Sequence, residues 1–205
     1  MSKNIIYMVP IKGLKGENMR NTKDLTLAGV FIALMTVIAF VPQLGYIQIT
    51  PVIGVTTMHV PVIIGAILLG RKFGFTLGIT FGVLSLGIAL TRGATPFELF
   101  FLNPFVSILP RAIFGLIIYD LYTFIKKMIK NDAISIGLSA FLSTLIHTTL
   151  VLGSIVIIYG QTLNSWDLGN LWVWLIGIVI SNGLFEAVFA VVLSIVIIKP
   201  IQKLV

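Results

Sequence analysis

Arg111, His147 and Glu186 are the residues best placed to hold a polar ligand, because each interrupts an otherwise apolar run. Arg111 follows Ser107 by four residues and Asn103 by eight. On a helix that spacing aligns all three along one face. His147 has Ser143 one turn before it and Thr144 and Thr148 close by, and Asn182 and Glu186 are again four apart. A guanidinium matches a carboxylate with paired donors. The amides, the hydroxyl and the imidazole can serve a ligand's hydroxyl and amide groups. Arg92 is a second cation suited to an anionic group. An ionisable side chain at membrane depth needs a partner and marks a functional site by default. Arg111 has two candidate arrangements: a buried ion pair with Glu186 that only orients helices, or a polar ligand or water lying between them. Counted along their helices, the two residues differ in depth by roughly 10 Å, which argues for the second.

The frame that must position these residues is a membrane protein. The 205 residues are 58% hydrophobic and 10% charged, with a mean hydropathy of +1.09. A soluble domain is about 25% charged. Six apolar segments cover 25–41, 60–70, 73–90, 102–124, 133–159 and 171–198, and all but the second reach the range of about 17 residues or more that a span requires. The second is short and needs help from 52–59. Pro61 suits its first turn, where a missing N–H costs nothing. The segment 43–59 carries no Lys, Arg, Asp or Glu and is broken by two glycines and a proline. It reads as a long outer loop packed on the protein. The expected fold is therefore an all-α membrane protein of six transmembrane helices with a long outer loop between helices 1 and 2.

Charge sets the orientation. With both termini cytoplasmic, residues 1–24, the 71–72 turn, the 126–132 loop and the 199–205 tail hold twelve of the fourteen Lys and Arg, as the positive-inside rule requires. Trp166, Trp172, Trp174 and Tyr159 then fall at the outer interface, where amphipathic rings anchor helices. The domain plan is a cytoplasmic extension (1–24), one transmembrane domain (25–199) and a cytoplasmic tail (200–205). Met19 is an alternative start, with residues 1–18 a dispensable extension.

Other classes are disfavoured. The net charge of +7 follows from cytoplasmic loops, and no soluble basic face exists for nucleic acid. The phosphate-binding loop of ATPases and the His-Glu-x-x-His zinc pattern are both missing. Two histidines and no cysteine make a protein-held metal site unexpected, and no organic cofactor is implied. No nucleophile–base–acid set is evident, which argues against the competing reading of a membrane-embedded enzyme using Arg111, His147 and Glu186 on a lipid-like substrate. His59 precedes a helix and reads as a cap, with a ligand or gating role the alternative. Gly74, Gly78 and Gly82 form a ridge read as packing.

Three ordered stretches carry a resemblance to a known family. They are the run Thr57-Met58-His59-Val60-Pro61-Val62-Ile63-Ile64-Gly65-Ala66-Ile67-Leu68-Leu69-Gly70, the segment Thr148-Thr149-Leu150-Val151-Leu152-Gly153, and Asn182 with Glu186-Ala187 ahead of a basic C-terminus. With the six-helix size, they resemble the S components, the substrate-binding membrane subunits, of energy-coupling factor (ECF) vitamin transporters. The resemblance extends over nearly the whole chain from Met19.

It implies a multi-pass subunit of a bacterial plasma membrane, surrounded by lipid, that binds a vitamin tightly at its outer side. Such a subunit associates with a transmembrane coupling subunit and two cytoplasmic ATPases and topples to release its cargo. It has no ATPase activity of its own. Gly29 and Ala33 stand where the family carries a small-x-x-x-small docking motif, usually two alanines, and the 43–59 loop matches the one that covers the pocket. The vitamin-binding set is expected among Arg111, Asn103, Ser107, His147, Asn182, Glu186 and Arg92. Pantothenate, with a carboxylate, an amide and two hydroxyls, is the favoured ligand, and the sequence looks nearest to the pantothenate-type subunits. A pyrimidine precursor of thiamine, paired through Glu186 and Asn182, is the alternative. Riboflavin fits less well, because few aromatic residues fall at depth on the polar faces.

Overall fold

A short helix enclosed by longer ones organises the fold. The computed structural model describes residues 22–48, 54–92, 97–165 and 170–204. Helix α1 spans Thr22–Phe40 and is followed by the single turn α2, Pro42–Gly45. Next comes a two-stranded antiparallel ribbon, β1 (Tyr46–Gln48) and β2 (Gly54–Thr56), in the register Tyr46↔Thr56, Ile47↔Val55, Gln48↔Gly54. The expected outer loop thus contains regular structure at both ends, and residues 49–53 between the strands lie outside the described set. Every residue of α3 (His59–Leu69) from His59 to Ile67 is buried. At about 1.5 Å per residue its 11 residues cover roughly half of a ~30 Å hydrocarbon core. It packs on α1, on α4 (Arg71–Arg92), on α6 (Leu109–Met128), on α7 (Asp132–Asn164) and on α9 (Leu184–Leu204).

Four helical stretches are long and apolar enough to cross a membrane: Arg71–Thr91, Pro104–Met128, Asp132–Asn164 and Leu171–Gln202. Leu25–Phe40 and His59–Leu69 are shorter apolar helices. All six expected segments are therefore helical, in the expected order, and the protein is membrane-embedded and predominantly helical.

Local chemistry sets the joints. Gly70 turns α3 into α4 with φ +97°, a conformation that only glycine adopts without strain, while its N–H still bonds the Ala66 carbonyl at 2.9 Å. The ridge of α4 lies directly on the backbone of α6. A Cβ at Gly74 would meet the Gly115 carbonyl, one at Gly78 the Arg111 carbonyl, and one at Gly82 the backbone of Ser107 and Ile108. Lipid tails are as apolar as leucine, so close backbone contact, rather than hydrophobic exclusion, holds such helices together. Arg71 and Asp120 tie α4 to α6 at 3.4 Å, and Lys126 pairs with Asp132 across the next turn.

Two segments depart from simple helices. The expected helix 102–124 is preceded by a 3-10 turn, Glu98–Leu102, and is broken into α5 (Pro104–Ser107) and α6 at Ile108. The last segment runs α8 (Leu171–Ile178), a π-helical turn Val179–Gly183, then α9. Helix α7 bends at Tyr159 (φ −119°, ψ 17°), where the Tyr159 ring stacks on Phe100 at 4.6 Å. Trp172 is exposed on α8. Residues 1–21, which hold most of the expected cytoplasmic extension, lie outside the described set, as do Trp166, Val205 and the side chain of Trp174.

Candidate functional site

Pro110 sets the position of Arg111. A proline inside a helix cannot donate to the carbonyl four residues earlier, here Val106. That carbonyl instead accepts a hydrogen bond from Arg111 Nη1 at 2.5 Å. The break at Ile108 and the burial of Arg111 thus share one cause, and the side chain serves as the missing backbone donor. Its Cζ lies 4.8 Å from the Phe101 ring centroid and 5.5 Å from that of Phe81, both within cation–π range. Nε is buried and has no partner. No ion pair joins Arg111 to Glu186 among the described residues, although each lies within the other's electrostatic influence.

Glu186 is occupied elsewhere. Its Oε1 accepts from both the backbone N–H and the hydroxyl of Thr56, each at 2.8 Å. The last apolar segment thereby holds the end of β2, and with it the ribbon. Thr57, next in the chain, donates to the Leu44 carbonyl and fastens the ribbon to α2.

His147 sits among rings. The Phe114 centroid is 4.8 Å away, Phe81 5.4 Å and His59 6.1 Å, the two imidazoles being nearly parallel at 13°. Both nitrogens of both histidines are buried without hydrogen-bond partners. The hydroxyls near His147 do not serve it. Ser143 and Thr144 bond back to the Ala140 carbonyl and Thr148 to that of Thr144. On α7 the polar face is therefore self-satisfied except for the imidazole. The backbones of Thr56 and Glu186 approach the His59 ring outside hydrogen-bonding geometry. Each unpaired buried polar group costs about 1–3 kcal/mol, and such groups are rare in finished structures.

The remaining expected residues divide. Asn103 is not on the face that Arg111 occupies. It precedes α5 in extended conformation and caps it, its side chain accepting from the Phe105 N–H at 3.0 Å. Ser107 is fully buried, and its hydroxyl bonds the Asn103 carbonyl at 3.0 Å. Asn182 lies in the π turn, a feature that recurs at functional sites, and its Oδ1 is buried and unpaired. Arg92 closes α4, and its side chain lies outside the described residues. Gly29 and Ala33 share the exposed face of α1, where a Cβ on Gly29 would touch nothing.

Sequence reasoning read His59 as a cap, with a ligand or gating role the alternative, and missed Thr56 and the rings. His59 opens α3 but caps nothing, since the cap position is Met58 and no side-chain cap bond forms. The available signal was an imidazole at the mouth of a helix otherwise free of charge. Aromatic residues were not expected at depth near the polar faces, yet Phe81, Phe101 and Phe114 surround Arg111 and His147. No cluster of three or more metal-ligating side chains occurs among the described residues. The arrangement combines a braced cation, two imidazoles, an unpaired amide oxygen and aromatic walls. This chemistry suits binding an anionic, polar small molecule.

Comparison with known proteins agrees. Residues 23–198 match the family described as ECF transporter, substrate-specific component. The chain is 33% identical over 196 residues to the pantothenic acid transporter PanT of Lactococcus lactis subsp. cremoris, covering 88% of this chain and 94% of that protein. It is 32% identical over 185 residues to the pantothenate transporter PanT of Leuconostoc mesenteroides subsp. mesenteroides, covering 84% and 88%.

Proposed function

The chain belongs to the substrate-specific component family of ECF transporters, and from that premise we propose that it captures pantothenate at the outer face of a bacterial plasma membrane. It would deliver the vitamin through a coupling subunit and two ATPases. Both relatives are named for pantothenate. The observation that carries the reading is Arg111. Its guanidinium is buried, braced by the Val106 carbonyl and two rings, unpaired at Nε, and joined to no carboxylate among the described residues. A ligand carboxylate would complete it. The topology that goes with this function has six spans with cytoplasmic ends, residues 25–199 forming one transmembrane unit. Arg111, His147 and Asn182 would face the ligand. Asn103 and Ser107 would shape the wall, Glu186 would hold the outer ribbon, and Arg92 would draw anions towards the entrance.

A pyrimidine ligand has weaker support. The amine would need Glu186, whose Oε1 already serves Thr56. Titration calorimetry on the purified subunit, without ATP or partners, tests the assignment. Stoichiometric heat with pantothenate is expected. Heat only with hydroxymethylpyrimidine or riboflavin would reassign the substrate, and none with any vitamin would remove the function.

A further inference from the structure

We propose that His59 and His147 act together as a second subsite, which receives the hydroxyl and amide end of the ligand whose carboxylate Arg111 holds. This rests on the vitamin-binding reading and adds a residue, His59, and a division of labour within the site.

The two ends of the cluster differ in hydrogen-bonding character. Arg111 offers donors only and is suited to an anion. A neutral imidazole offers one donor and one acceptor, so the pair presents two of each. A hydroxyl both donates and accepts, as does a secondary amide through its N–H and C=O. A carboxylate cannot donate and would leave the acceptor nitrogens unpaired. Mixed donors and acceptors at one end and donors at the other therefore describe a ligand that is anionic at one end and hydroxylated or amidic at the other.

The placement supports joint action. The imidazoles come from helices far apart in sequence, α3 and α7, yet lie nearly parallel at 6.1 Å. Phe81 bridges the two ends, touching His147 at 5.4 Å and Arg111 at 5.5 Å. All four imidazole nitrogens are buried without partners. Nearby hydroxyls on α7 are committed to their own backbone. A structural histidine would be expected to form at least one well-aligned hydrogen bond; among the described residues neither of these does, His59 having only the Thr56 and Glu186 backbones close by.

The test uses the full chain in lipid nanodiscs. Calorimetry compares pantothenate, an analogue with both hydroxyls replaced by hydrogen, hydroxymethylpyrimidine and riboflavin. Wild-type protein should bind the deoxy analogue at least tenfold more weakly than pantothenate. His59→Phe, which keeps a ring but no nitrogen, should weaken pantothenate at least tenfold and leave the deoxy analogue within about twofold. His59→Gln should recover part of the loss. Unchanged pantothenate affinity in His59→Phe, or equal loss of both ligands, overturns the subsite and leaves pantothenate as substrate. If wild type ignores pantothenate but binds hydroxymethylpyrimidine or riboflavin, which carry no carboxylate, the pantothenate assignment falls, and with it the division of labour between Arg111 and the imidazoles. The chain has two histidines, so imidazole nitrogen resonances of the unmodified protein provide a check that needs no variant. Both sets should shift on saturation with ligand, and a His59 set that stays still overturns the proposal.

Discussion

At the scale of single residues, the site depends on what Pro110 withholds. Because position 110 cannot donate, the Val106 carbonyl is left for Arg111. Pro110→Ala would restore a backbone donor to that carbonyl and release the guanidinium without changing charge. Re-ordering a freed, rotamer-rich side chain costs about 0.5–1.5 kcal/mol, so pantothenate should bind several-fold more weakly. Arg111→Ala removes the charge itself. Charge-assisted hydrogen bonds contribute about 1.5–3 kcal/mol, so binding should fall at least tenfold in calorimetry, while the thermal unfolding midpoint of the ligand-free protein drops by a few degrees as the Val106 carbonyl loses its donor. A collapse of the unfolding transition in Arg111→Ala would instead make the arginine a structural brace. Which residues were legible follows from the same physics. Arg111, His147 and Glu186 declare themselves by charge or polarity inside apolar runs. His59 does not, because at the first position of a short helix periodicity cannot distinguish a cap from an inward-facing ring. The partnership of Thr56 with Glu186 spans 130 residues of chain, beyond the reach of any local pattern.

At the scale of elements, α4 acts as the smooth surface on which α6 is set down. Gly78 lies against the Arg111 carbonyl and the Ala112 Cα, closely enough that an added methyl group would force the backbones apart. Overpacking of this kind costs about 1–3 kcal/mol. Gly78→Ala should therefore lower the unfolding midpoint and, by displacing the stretch that carries Arg111, also weaken ligand binding. Gly87→Ala on the same helix meets nothing within 4 Å and should alter neither. Equal behaviour of the two variants would show that close contact at Gly78 does not govern the site. The helical segments were legible because apolar length alone marks them. The four-residue spacing of the glycines also announced a packing ridge. The break between α5 and α6 was signalled by Pro104 and Pro110, but a reading by apolar length runs through both. The π turn around Asn182 coincides with the Ser181-Asn182-Gly183 run, a weak helix former, but a reading by apolar length runs through it. The same limit applies to the ribbon, whose pairing of Tyr46 with Thr56 depends on tertiary support from Glu186.

At the scale of the whole molecule, the two faces of α1 differ in what covers them, and we propose that the exposed one serves assembly. Ala28, Met35 and Ala39 point into the core, whereas Val30, Leu34 and Val37 are exposed beside Gly29 and Ala33. A Cβ on Gly29 meets no atom of this chain, so nothing internal requires a glycine there. A second membrane helix approaching that face does, because a small-x-x-x-small pair permits close backbone contact and the van der Waals packing that joins helices in lipid. Gly29→Leu should accordingly leave pantothenate affinity of the isolated subunit within about twofold of wild type. The same substitution should abolish co-purification with the coupling subunit and stop uptake in cells. Ala33→Leu, one turn further along the same face, should act alike, while Val37→Leu, which keeps a large apolar surface exposed to lipid, should be silent. Loss of binding in isolated Gly29→Leu protein would mean that α1 supports the pocket from its outer face. Undiminished uptake would place the docking surface on another helix.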